Sequence, residues 1–173
     1  MIEPIQIPDA TREPAAYVRA LVATLGEREP LEVLRGTPAT ARELCRGLTG
    51  AGWRTPMAAG EWTPLQVVGH LLDVDIVYGF RWRLILTEDR PSYPGYDEKA
   101  WSLLPRPDPD RLLAALEGLR AANLAMLEQI SDQDRDALAS TASRARNAST
   151  WLWPRSPATT WPTSTSSPAR WLR

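Results

Sequence analysis

Along the chain, apolar residues recur every three to four positions in stretches separated by breaks rich in Pro and Gly, and no segment alternates convincingly in twos. The spacing predicts a first amphipathic helix over about 14–25, with Val18, Leu21, Val22 and Leu25 on one face and Gly26 as its left-handed stop. A short turn over 30–34 leads to Thr37 and Pro38, an N-cap followed by proline in the first helical position. The second helix then carries Ala41, Leu44 and Leu48 and stops at Gly50 or Gly52, and 53–60 reads as a loop.

Thr63 caps a third helix, Pro64 takes its first position, and Gln66 stands where a capping box needs Glu or Gln. Apolar residues fall on nearly every face of 65–86, which predicts a central helix packed against several neighbours. It ends at 88–91. A Pro-, Gly- and Tyr-rich connection follows, with one turn near 98–103. Asp108 or Asp110 then caps a long helix through Ile130, with the stripe Leu112, Leu116, Leu119, Asn123, Leu127 and Ile130. Ser131 caps one more short turn to Leu138.

With 173 residues and 43% hydrophobic content, the chain suits one globular domain, placed here over 1–138. A formal net charge of −1 gives no electrostatic argument for nucleic acid or an anionic membrane as partner. Cys45 is the only cysteine, so an intrachain disulfide and a Cys-rich metal cluster are excluded, and a cytoplasmic location fits best. There is no basic segment leading into an apolar run at the start, and no stretch approaches about 18 apolar residues. Neither secretion nor membrane spanning is expected.

Residues 139–173 read as an irregular Ser-, Thr-, Pro- and Trp-rich tail. All 21 acidic residues lie in the first 136, against fifteen basic ones there, so the body carries −6 and the five later arginines give the tail +5. Four of the eight tryptophans, Trp151, Trp153, Trp161 and Trp171, are interleaved with prolines that forbid a continuous helix. Three readings are open: a disordered tail, a stacking surface for single-stranded nucleic acid, or a segment translated out of frame. Disordered segments are poor in aromatics, and no ordered stacking platform is evident, which favours the third.

The segments Gly-Glu-Trp-Thr-Pro, Gly-His-Leu-Leu-Asp-Val-Asp, Tyr-Gly-Phe-Arg-Trp-Arg and Glu-Asp-Arg-Pro together resemble the DinB-like superfamily, also called the YfiT-like metal-dependent hydrolases, over about 15–138. The resemblance implies an all-α fold, an antiparallel four-helix bundle. It also implies a divalent metal, zinc, nickel or similar, held by three histidines: one on the Gly-His-Leu helix and a His-x-x-x-His pair on the last helix. Members of known chemistry are thiol-dependent transferases and isomerases, so a small-molecule or thiol substrate is implied too. His70 matches the first metal ligand.

This chain departs from that pattern, because His70 is its only histidine and the last helix is missing or disordered. The place of the pair reads Thr-Thr-Trp-Pro-Thr over 159–163. In a frame where each codon starts on the previous third base, Thr codons supply the last two bases of His or Asp codons. Residues 159–166 are then compatible with His-Asp-Leu-Ala-His-Leu-Asp-Gln, which places a frameshift near 137–145. The inherited hydrolase or transferase activity is accordingly expected to be impaired. The alternative is a non-catalytic helical module binding a small molecule or partner helix. An apolar strip left by the absent helix, exposed or patched by the tail's tryptophans, further predicts low solubility or self-association, for instance as a homodimer.

Other residues have plainer roles open to them. Asp73 and Asp75 either orient an imidazole or complete a weakened metal site, or else are solvated or salt-bridged neighbours, the commoner role for an acid one turn from a helical histidine. Asn123 inside an apolar stripe suits a register-fixing contact. Arg81 and Arg83 face either an anionic substrate or nearby carboxylates and the helix end. Cys45 reads as a small packed residue, and Trp62, Trp82 and Trp101 as core and loop anchors.

Overall fold

A computed structural model of the chain describes Pro8 and residues 12–138. The described residues are helical, without strands: α1 (Pro14–Ala23), α2 (Pro30–Leu44), a 3-10 turn (Gly52–Arg54), α3 (Pro64–Thr87), α4 (Glu98–Ser102) and α5 (Pro109–Gln129). A further helical segment covers 132–138, and the Ser131 hydroxyl accepts the Asp134 N–H at 3.2 Å ahead of it. The tail assigned above lies outside the described residues. No described helix is long and apolar enough to cross a membrane.

Each of the four longer helices starts on a proline, where a missing N–H costs nothing and the fixed φ suits the first turn. The capping box opens α3 as expected: Thr63 Oγ1 accepts the Gln66 N–H at 3.2 Å, and the Thr63 N–H donates to Gln66 Oε1 at 3.0 Å. Of the two candidates for α5, Asp108 is the cap, its Oδ1 accepting the Arg111 N–H at 3.1 Å. Gly26 takes a left-handed φ of 58° after α1.

The start of the second helix differs from the sequence expectation. α2 begins at Pro30, runs through Pro38, and ends at Leu44, with Gly47 left-handed just beyond. Thr37 is not a cap; its hydroxyl donates to the Val33 carbonyl one turn back at 2.8 Å. Pro38 has no N–H for the Leu34 carbonyl, which would otherwise accept from it. That carbonyl accepts instead from Arg120 Nη1 at 2.7 Å. A side chain from another helix therefore repairs the break, which is why the proline does not end α2.

α5 is the shared helix, packing against both α2 and α3, while α3 also packs against α4 and the 3-10 turn. Leu112 and Leu116 of α5 are completely buried in a core with Ala41, Trp53, Leu65, Val68 and Leu113. Cys45, Leu71 and Leu72 pack against it. Trp53, expected in a loop, is thus the core tryptophan, and Trp62, Trp82 and Trp101 are only half-buried. α3 does not bury every apolar face: Ile76 and Phe80, one turn apart, remain exposed.

The fold is the all-α bundle expected, with one refinement in direction. Contacts along α3 and α5 ascend together: Leu65 and Val68 share a cluster with Leu112 and Leu116, Asp75 meets Arg120, and Gly79 meets Asn123. α3 and α5 therefore run parallel. α2 runs opposite to α5, since Arg42 pairs with Glu117 at 3.3 Å and Arg35 with Glu128 a few turns on. A return to the start of the bundle through the connection carrying α4 makes the parallel pair sterically accessible.

Two buried ion pairs lock these helices. Arg120 Nε donates to both oxygens of Asp75, at 2.7 and 2.8 Å, with both side chains 5% exposed or less. Asn123 Nδ2 donates to the Asp75 carbonyl at 2.9 Å, and its Oδ1 accepts from Arg83 Nη1 at 3.1 Å. Asn123 is therefore the register-fixing contact expected of a polar residue in the stripe. The second pair, Arg106 with Asp73, belongs to the site.

Candidate functional site

His70 sits on the second turn of α3, behind the start fixed by Thr63 and Gln66. Its side chain is only 13% exposed. Trp62 meets the imidazole edge-on, with ring centroids 5.1 Å apart. Nε2 lies 3.5 Å from Glu98 Oε1, which α4 brings across. α4 is short, and its start is set by Asp97, whose Oδ1 accepts the Ala100 N–H at 2.9 Å.

One turn past His70, Asp73 is buried and both its oxygens are taken by the Arg106 guanidinium, Nη1 bonding Oδ1 at 2.8 Å and Nη2 bonding Oδ2. Nη2 also donates to the Trp101 carbonyl at 2.8 Å, tying the end of α4 to α3. Arg106 Nε has no hydrogen-bond partner and lies over Gly69, where a Cβ would approach to 2.7 Å. The glycine beside the histidine thus admits the arginine that holds Asp73.

Burial pushes the His70 imidazole below its ordinary range. Glu98 and Asp73 pull the other way, and Arg106 adds to the push. Desolvation wins because the Glu98 carboxylate is itself partly in water, 38% exposed. The ring is therefore neutral near pH 7, the form that ligates metals. Burial first, and then Glu98, raises two phenols beside it: Tyr96 is pushed up to about 12, and Tyr17 of α1 also rises. Both keep their protons at neutral pH.

The remaining sequence candidates are engaged elsewhere. Asp73 and Asp75 each serve an arginine and not an imidazole. Arg81 donates to the Pro94 carbonyl at 3.2 Å and stacks over Tyr78 and Tyr93, 5.5 and 4.9 Å from their centroids. Arg83 donates to the Gly79 carbonyl at 2.7 Å as well as to Asn123. Cys45 packs against the core, and burial raises its thiol. Sequence reasoning missed Glu98, Arg106 and Arg120, whose partners lie on other elements at no fixed spacing.

A catalytic zinc-type ion takes about three protein donors around an open position. Among the described residues, no group of three His, Cys, Asp or Glu side chains could hold an ion. Beyond residue 136 the chain contains no residue of those four types. The donors present therefore do not fit the three-histidine site that the resemblance implies.

The family model described as the DinB superfamily matches residues 34–160. A solved structure of YfiT from Bacillus subtilis, described as a probable metal-dependent hydrolase with an unusual four-helix bundle topology, is similar with a TM-score of 0.56 and 37% identity. The likeness covers 60% of this chain and 61% of that one. In sequence, YfiT is 38% identical over 106 residues, 60% of each chain. A relative from Geobacillus kaustophilus is 33% identical over 140 residues, and one from Geobacillus thermodenitrificans 32% over 139, each match covering 77% of this chain and 74% of the relative. These relatives are all named, on provisional terms, as metal-dependent hydrolases. The chain spans 60% of the length of the Bacillus subtilis relative it matches. The family match takes in His70, most of α2 and all of α3, α4 and α5, and on it this chain belongs to the DinB superfamily.

Proposed function

We propose that this chain descends from divalent-metal-dependent hydrolases or thiol S-transferases and is impaired in that chemistry, because His70 is the one imidazole left of a three-histidine site. The observation that carries this reading is the donor count: one histidine in 173 residues, with Asp73 and Asp75 both committed to arginines. Its support is the family match and the metal-dependent hydrolase designation of the relatives. A cytoplasmic setting and a small-molecule or thiol substrate belong to the same reading. So does a frameshift as the origin of the loss, and self-association through the exposed Ile76 and Phe80 face.

One observation favours a second reading, a non-catalytic helical module that binds a small molecule or partner helix. The residues flanking His70 form a closed network of ion pairs and aromatic contacts, as a structural element would. Metal analysis after purification and exhaustive dialysis tests the impaired-site reading. Far less than one equivalent of zinc or nickel is expected. A full equivalent surviving dialysis would show a complete site and overturn it.

A further inference from the structure

We propose that the groove along α2 is a seat for an aromatic side chain, and that its guest is a tryptophan of the chain's own C-terminal segment, from the Trp-Leu-Trp at 151–153. The inference stands apart from the lost metal site.

The groove measures about 240 Å³ and is lined by Arg28, Glu32, Val33, Gly36, Thr37 and Thr40. Pockets for drug-sized ligands begin at about 300 Å³, and a helix with its side chains is about 10 Å across, so one large side chain is the scale of guest that fits. Gly36 leaves the floor open, since a Cβ there would meet nothing within 4 Å. Thr37 and Thr40 donate their hydroxyls back to the Val33 and Gly36 carbonyls, at 2.8 and 3.1 Å, so neither O–H is available to a guest. Arg28 donates from Nε to the Leu25 carbonyl at 3.0 Å and from Nη2 to the Thr24 carbonyl at 2.7 Å. Those bonds fix the guanidinium at the groove and leave its flat face for an aromatic ring to stack on. Glu32 supplies an acceptor for an indole N–H.

The choice of guest follows from where the described chain ends. Arg35 pairs with both Glu32 of the groove and Glu128, so the last turn of α5 is tied to the groove's rim. Thirteen residues separate Leu138 from Trp151 and span at most about 45 Å, whereas α2 from Pro30 to Thr40 is about 15 Å long. Trp151 and Trp153 have the shortest tether of the four tail tryptophans, and effective concentration falls as a tether lengthens, from the mM range for short ones. A weak seat is therefore filled. Charge favours the same guest: Glu27, Glu29, Glu32 and Glu128 outnumber Arg28 and Arg35 at this corner, while the chain beyond residue 138 carries five arginines and no acid.

Amide hydrogen exchange of the full-length protein, read by mass spectrometry, tests the proposal. Peptides containing Trp151 and Trp153 should exchange at least about tenfold more slowly than the same sequence in urea. Gly36→Leu fills the groove with a good helix former and should abolish that protection. Gly36→Ala also raises helix propensity but leaves most of the groove open, and should keep it. If Gly36→Leu lowers the melting temperature, Trp151→Ser combined with Trp153→Ser carries the test and should abolish the protection from the other side. Unprotected peptides in the unaltered protein, or protection indifferent to Gly36→Leu and to the tryptophan substitutions, overturn the proposal. Protection that grows with protein concentration also overturns it, because the guest would then belong to a second copy.

Discussion

Pro38 and Arg120 act on the same atom: the proline withholds an N–H from the Leu34 carbonyl, and the arginine supplies one from α5 at 2.7 Å. The same guanidinium neutralises Asp75 of α3, so one side chain joins three helices. Arg120→Met should cost about 3–5 kcal/mol, since it strands a buried carboxylate. In a Pro38→Ala background the helix regains its own donor to Leu34. The penalty for Arg120→Met should then be smaller by about 1 kcal/mol, the net worth of one hydrogen bond. A double-mutant cycle by urea unfolding measures the coupling, and strict additivity would show that Arg120 does not serve that carbonyl.

Asn123 occupies the space a side chain at Gly79 would need. A Cβ there would lie 2.5 Å from Oδ1 and 2.7 Å from Nδ2 of an amide fixed at both ends. Gly79→Ala should destabilise by about 1–3 kcal/mol, the usual range for overpacking. Gly118, also within a helix but in open space, is the contrast: Gly118→Ala should stabilise by about 0.5–1 kcal/mol. Thermal melts of the two variants should move in opposite directions.

Cys45 should be a slow thiol. Burial raises its pKa, so at pH 8 the folded protein holds less thiolate than an unfolded chain. Modification by a disulfide reagent should be slower than for free cysteine and recover the free rate in denaturing urea. Equal rates in both states would show that the thiol is neither buried nor shifted.

The coding sequence decides the frameshift reading. For histidines to appear at 159 and 163 in the displaced frame, the wobble bases of Ala158 and Pro162 must both be C. The displaced frame should then run without a stop past Arg173. Any other base at either place removes the histidine pair, and the present tail must be accepted as native sequence. If both are C, restoring the frame should restore stoichiometric metal binding at His70 and the recovered pair.

The sequence by itself determined the elements and their starts wherever the signal is local. The Thr63–Gln66 box, the Asp108 cap and the Gly26 stop all act within four residues of themselves, so spacing alone reveals them. It also determined the limit on chemistry, since donors absent from a chain cannot be supplied by folding it. What only the tertiary structure decided is whatever depends on side chains arriving from elsewhere. Thr37 and Pro38 read as a helix start because nothing nearby shows that Arg120 will satisfy the Leu34 carbonyl. Trp53 became core, and α3 and α5 came to lie parallel, through packing that periodicity along one helix does not encode. The site divides in the same way: His70 stands out in the sequence, while Glu98 and Arg106 acquire their roles only where α4 and the chain after it cross α3.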